Sequence, residues 1–458
     1  MNRIDVLPDD VLLEIFDFYV MVPLFKNKRA TEAWQLLIHV CRRWRSLVLG
    51  SPRRLNLRLH CTRDTPVRDR LDIWPALPLI VQTGRPSSGT DNNIIAALGQ
   101  SNRVCKVNLF LASEDVLAAM RVPFPELTDL AVEAYIVPIV MPDSFLGGSA
   151  PRLRSFELTN VRFPELPKLH LFAPHLVRLT ISRIRYSWHI SSEVVVALLS
   201  SLSSLNTLSL EFEYHCSSQS GRDRGTQRPP PSKRSLIPAL TSFDFTGVIE
   251  YLENLVTFID APRLNSFSIT FFDRIDLRVN IPRLAQFISC TPKLRALDEA
   301  HVQFDYDTAS IGYRTSESSF DNLLIDITCM NPDWHSSIRQ VCTSLHPRPA
   351  VEDLYIEYQP EPSWDEAIES TLWLEFFLPF TAVKNLYICE VLALGIADAL
   401  QELVEGRIME VLPSLENIFV EGLRPELLKD IIRQFVAARQ LSGHTIAVSV
   451  WVSAGDGG

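Results

Sequence analysis

The sequence predicts an α/β chain: a small α-helical bundle over residues 1–50, then an irregular solenoid over 51–458 whose short strands lie in a parallel concave sheet. Three observations predict it. The first fifty residues carry three short amphipathic patterns bounded by Pro and Gly. From Val104 onward an apolar triplet at i, i+3 and i+5 returns again and again. Proline stands at i−2 in most of those returns.

Pro8 suits the first position of a helix, because its φ is fixed and its missing N–H has no intrahelical partner there. Asp9 and Asp10 come next, where the helix dipole favours negative charge. Val11, Leu12, Ile15, Phe16 and Tyr19 then share one apolar face. Pro23 and the run 26–29 close this helix, and Thr31 is the candidate N-cap of a second one bearing Trp34, Leu37, Ile38 and Cys41. Trp44, Leu47 and Val48 continue into a third, which Gly50 and Pro52 end. Fifty residues bury only a small core, so these apolar faces exceed what the bundle hides by itself.

Leu-Pro-x-x-x-Leu-x-x-Ile-Phe over residues 7–16, together with Val40-Cys41-Arg42-x-Trp44-Arg45, resembles an F-box, the adaptor-binding module of SCF-type ubiquitin ligases. The resemblance covers about a tenth of the chain. It implies docking onto a Skp-family adaptor, and through it cullin, by Leu7, Pro8, Val11, Leu12, Ile15, Phe16, Val40, Cys41 and Trp44. The Lys26–Ala30 linker departs from the usual pattern in being longer and more basic.

A net charge of −10 argues against nucleic acid or an anionic membrane as the main partner. Locally, residues 42–70 hold nine Arg against Asp64 and Asp69. The N-terminus lacks the apolar core of a signal peptide, and no run of eighteen apolar residues is present. The eight Cys are scattered without a Cys-x-x-Cys pair, as expected of reduced thiols in an intracellular protein, cytoplasmic or nuclear.

The repeat begins at Val104, Leu127, Leu153, Leu176, Leu205, Leu240, Leu264, Leu294, Phe320, Val351, Val383 and Leu415. Pro125, Pro151, Pro174, Pro238, Pro262, Pro292, Pro349 and Pro413 sit at i−2 in eight of these twelve, where composition alone supplies about 0.8. Such a Pro stops the preceding segment and enters a strand where no ladder donor is needed. Helical runs such as Val194–Leu199, Leu284–Ile288 and Ile396–Val404 come between. Leu55–Leu59 and Leu77–Val81 read as earlier strands. Pro-x-Leu-x-x-Leu-x-Leu resembles the strand of a leucine-rich repeat, here without that family's regular Asn. Two polar stretches, 216–235 and 305–319, read as insertions.

No catalytic signature stands out. Gly84–Thr90 lacks the Lys that a phosphate loop needs, the ten His have no metal-ligand spacing, and there is no Gly-x-Ser-x-Gly elbow. The chain therefore reads as a non-enzyme without cofactor or metal. The outward i+4 positions of the last four repeats are Leu324, Tyr355, Tyr387 and Phe419, bordered by Asp353, Glu357 and Glu421. They predict an apolar ladder with an acidic rim, suited to a protein substrate carrying an apolar segment with flanking basic residues. The function this implies is a substrate-recognition subunit of an SCF ligase. Its alternatives are an F-box scaffold that degrades nothing and an enzyme whose site is assembled across repeats.

Overall fold

The computed structural model describes residues 7–21, 33–64, 66–84, 91–110, 113–134, 137–188, 190–213, 234–272, 281–305, 308–318, 320–328, 341–342, 351–358, 370–403, 409–421 and 432–451. The linker 26–30, the cap at Thr31, the loop 85–90, residues 214–233 and the last seven residues lie outside these. The chain divides into two compact units, Met1–Trp188 and His189–Gly458.

The first unit opens with three helices: α1 Asp9–Met21, α2 Ala33–Ile38 and α3 Arg42–Gly50. The Pro8 carbonyl accepts the first helical hydrogen bond of α1, from Leu12 N. Arg43 of α3 holds that end, donating to the Leu7 carbonyl at 2.6 Å and pairing with Asp9. Cys41 caps α3 by accepting from Trp44 N at 3.5 Å. Leu12, Leu13, Phe16, Leu37, Ile38 and Val48 fill the core, with Trp44 edge-on to Phe16 at 4.7 Å. Trp34 fastens the bundle to the neighbouring segment of the same unit: its indole donates to the Arg58 carbonyl at 3.2 Å and meets Trp74 edge-on at 5.3 Å.

The strands of this unit are β1 Leu59–Cys61, β2 Leu79–Gln82, β3 Val104–Phe110, β4 Asp129–Glu133, β5 Ile139–Val140, β6 Ser155–Thr159, β7 Val161–Arg162 and β8 Arg178–Ile184. β1, β2, β3, β4, β6 and β8 pair in that order, all parallel, while β5 and β7 form a separate parallel pair. The i+3 and i+5 residues stand in register and are buried: Val107 and Leu109, Leu130 and Val132, Phe156 and Leu158, Leu179 and Ile181. Leu55–Leu57, expected as strand, form a turn that leads into β1.

The second unit carries β9 Thr207–Phe212, β10 Ser235–Leu236, β11 Ser242–Gly247, β12 Ile259–Asp260, β13 Ser266–Phe272, β14 Glu299–Phe304, β15 Thr308–Arg314, β16 Leu323–Thr328, β17 Asp353–Tyr358, β18 Asn385–Ile388, β19 Asn417–Glu421 and β20 Ala447–Trp451. Its main sheet runs β9, β11, β13, β16, β15, β14, β17, β18, β19, β20. All neighbours are parallel except β15, which is antiparallel to both β16 and β14. Buried residues alternate with half-exposed ones along nearly every strand. The buried side meets helices: Phe267 packs edge-on to Phe287 of helix Pro282–Cys290, and Phe304 to Trp373 of helix Ser370–Phe377.

The recurrent proline has a more specific role than ending a segment. Leu127 N donates to Phe124 O, Leu153 to Ala150, Leu176 to Ala173, Leu264 to Ala261 and Leu415 to Leu412. Each bond closes a four-residue turn with Pro125, Pro151, Pro174, Pro262 or Pro413 second, the position its fixed φ prefers. The next residue's N–H then starts the ladder, as Thr128 N does on Cys105 O.

Two expectations about the repeat are refined. The stretch 305–319, read as a polar insertion, does interrupt the parallel array, but as a strand: it contains β15, whose Ala309, Ile311 and Tyr313 alternate inward. The frame placed at Leu294 lies in helix Pro292–Arg295; the strand after it runs in the frame Leu297, Ala300, Val302. Pro292 is a helix-opening proline, which is why it misled.

Candidate functional site

Two surfaces take in the residues that the sequence singled out. The first is on the N-terminal bundle. Leu12 and Phe16 are buried, so they support α1 from behind and meet no partner directly. Val11 and Ile15 are 39% and 48% exposed, and Phe18, not expected at the surface, is 74% exposed. At i, i+4 and i+7 these three make one outward stripe. Pro8 and Cys41 are exposed, Leu7 and Trp44 half-buried, and Val40 is exposed together with Leu36 of α2. The stripe that matters is thus offset from the apolar face read in the sequence. Leu13, taken for neither face, is core.

The second surface is the outward side of the second unit's sheet. Register puts His301, Tyr355, Tyr387 and Phe419 side by side on β14, β17, β18 and β19. Their rings stack nearly parallel, with centroids 4.2 Å apart for His301–Tyr355, 4.1 Å for Tyr355–Tyr387 and 4.6 Å for Tyr387–Phe419. Leu324, expected in this row, is in register with it but two strands from His301, with Gly312 between. It sits on β16, opposite Ser268 and Gly312, because β15 lies between β16 and β14. The ladder is therefore aromatic and ends in an imidazole. Trp451 of β20 lies edge-on to Tyr387 at 5.6 Å and to Tyr355 at 6.1 Å. Strand β20 thus adds one ring to the edge of the column.

Polar rows flank the column. On one side Glu299, Asp353, Asn385 and Asn417 are in register. Asn417 donates to Asn385, and Asn385 to Asp353, each at 2.8 Å. The sequence carries an unread signal for this row: Asp-Leu-Tyr, Asn-Leu-Tyr and Asn-Ile-Phe recur at 353, 385 and 417. On the other side Glu357 and Glu421 point outward, joined by Asp326 of β16. Asp321 lies over Gly312, where the missing side chain leaves room for its carboxyl.

Burial raises the carboxyl pKa of Asp353, and the bond from Asn385 opposes it. Burial raises Glu357 as well, with Glu421 adding to the effect. Asp326 is raised by burial and further by Asp321. Burial, then Arg314, pushes the His301 imidazole down to about 4, so it is neutral near pH 7. Arg314 donates to Glu299 at 2.7 Å and sets its guanidinium 6.0 Å from the centre of the Tyr355 ring.

Among the described residues no group of three His, Cys, Asp or Glu is placed to hold a metal ion, and no helix is long and apolar enough to cross a membrane. No family model matches the chain, and no curated protein matches it.

Proposed function

We propose that the protein is a non-catalytic substrate-recognition subunit of an SCF-type ubiquitin ligase. The three N-terminal helices dock a Skp-family adaptor and through it cullin, and the strand–turn–helix array is an irregular leucine-rich repeat that holds a target protein. Its contribution is proximity, bringing a target lysine near the conjugating enzyme. This reading makes it an intracellular protein, cytoplasmic or nuclear.

The observation that carries the reading is the stripe Val11, Ile15, Phe18. It lies outward on a helix whose inner face, Leu12, Leu13 and Phe16, is already filled. A bundle with a closed core gains nothing by keeping a Phe 74% exposed unless another protein covers it. The F-box-like spacing of Leu7, Pro8, Ile15, Cys41 and Trp44 supports a Skp-family adaptor as that protein.

The test is binding of a purified Skp-family adaptor by the parent chain and by an Ile15→Asp, Phe18→Asp variant. Both substitutions are at exposed positions, so the variant is expected to keep its melting temperature while adaptor affinity falls at least a hundredfold. Equal affinity in the two, or no binding by the parent, overturns the reading.

A further inference from the structure

We propose that the outward face of β14 to β19 binds an extended segment rich in arginine or lysine, with cationic side chains reaching from the aromatic column to the carboxylates on either side. The inference rests on the sheet being the target-binding surface, and it specifies the chemistry of what that surface takes.

The charges on this face favour a cation. Glu299 and Asp353 border the column on one side; Asp326, Glu357 and Glu421 stand on the other, and Asp321 lies over Gly312 in the column's own row. Arg314 is set among them, already engaged by Glu299. No described cation lies within ion-pair distance of Asp321, Asp326, Glu357 or Glu421. These groups do sense one another, since Glu421 acts on Glu357 and Asp321 acts on both Glu357 and Asp326. Arg314 partly offsets Asp321 and Glu357, yet one arginine already paired with Glu299 leaves these half-buried like charges in excess, and such an excess weakens the fold that carries it. A neutral apolar occupant would desolvate them further, and an acidic peptide or nucleic acid would be repelled. A cationic occupant relieves them.

The face already holds one group of this kind. The Arg314 guanidinium is bonded to Glu299 and set 6.0 Å from the Tyr355 ring centre, combining a carboxylate partner with an aromatic neighbour. Glu357 and Glu421 repeat the carboxylate on the far side of the same rings; Arg314 acts on Glu357 from a distance, but no described arginine forms an ion pair with either. Strands β16 to β19 span five steps of about 4.8 Å, which an extended peptide crosses in roughly seven residues at about 3.4 Å each.

The probe is a fluorescein-labelled (Arg-Leu)4 octapeptide, compared with (Gln-Leu)4 and (Glu-Leu)4 by anisotropy on the full chain at two salt concentrations. The parent is expected to bind the arginine peptide at least tenfold more tightly than the glutamine one, with the gap narrowing at high salt. In a Glu357→Gln, Glu421→Gln variant the preference is expected to fall at least fivefold while the melting temperature rises, a pair of effects that a merely structural role does not produce. Equal binding of the arginine and glutamine peptides, comparable binding of the glutamate peptide, or a preference unchanged in the variant overturns the inference. The same samples are assayed with the adaptor. An arginine preference without adaptor capture removes the receptor reading and leaves this one; adaptor capture without the preference removes this one alone.

Discussion

Glu357 shows what a single residue on this surface costs the fold. Its pKa is raised in the folded state, so folding takes up protons. The stability it allows is complete below the unfolded value of about 4.3 and is lost as pH rises through the higher folded value. Glu357→Gln is therefore expected to melt higher than the parent at pH 7.5 and to lose that advantage by pH 4, as read by calorimetry across pH. His301 has the opposite sign. Its folded value of about 4 lies below the ordinary one, so its contribution is full at pH 7 and is lost as pH falls through about 6.5 towards 4. His301→Phe keeps a ring beside Tyr355 and removes the titration, so its melting temperature should decline less than the parent's between pH 6.5 and 4.5. Tyr355, Tyr387 and Phe419 were legible in the sequence because their strands keep the frame set by Val351, Val383 and Leu415. His301 was hidden because the apparent frame at Leu294 begins inside a helix.

At the scale of the element, α1 separates support from contact. Phe16 is fully buried against Trp44, so Phe16→Ala is expected to destabilise the first unit by about 3–5 kcal/mol, seen as a lower denaturant midpoint. Ile15, one residue away, is half exposed and should tolerate Asp. Periodicity identified an apolar helix, yet not which residues faced inward. That depends on where α2 and α3 pack, and Trp34 seats the bundle through contacts twenty-four and forty residues further along, at Arg58 and Trp74. A second element test lies in helix Arg433–Leu441, where the fully buried Arg439 donates to the carbonyls of Val411, Leu412 and Pro413 at 2.7, 2.9 and 3.2 Å. Arg439→Ala leaves these oxygens without their donor and opens a void. The expected loss is about 3 kcal/mol or more, measured by urea unfolding. Arg439 was not apparent from sequence, since a lone Arg in an amphipathic helix ordinarily faces water.

Across the molecule, the local grammar was legible and the sheet order was not. Apolar triplets and their prolines located the strands because each repeat needs the same buried pair and the same turn. The hairpin that inserts β15 was hidden, since inward Ala309, Ile311 and Tyr313 are interleaved with Ser310 and Gly312, and its pairing with β14 and β16 is a tertiary choice. That one insertion places Gly312 between Leu324 and His301, so Leu324 keeps the row while the ring column starts at His301. The proposed function divides the labour between the N-terminal helices and the outward face of β14 to β19. Hydrogen–deuterium exchange of the full chain, with and without a purified Skp-family adaptor, tests it most directly. Protection is predicted over α1 to α3 with exchange in β17, β18 and β19 unchanged; protection centred on those strands, or none over α1 to α3, would contradict it.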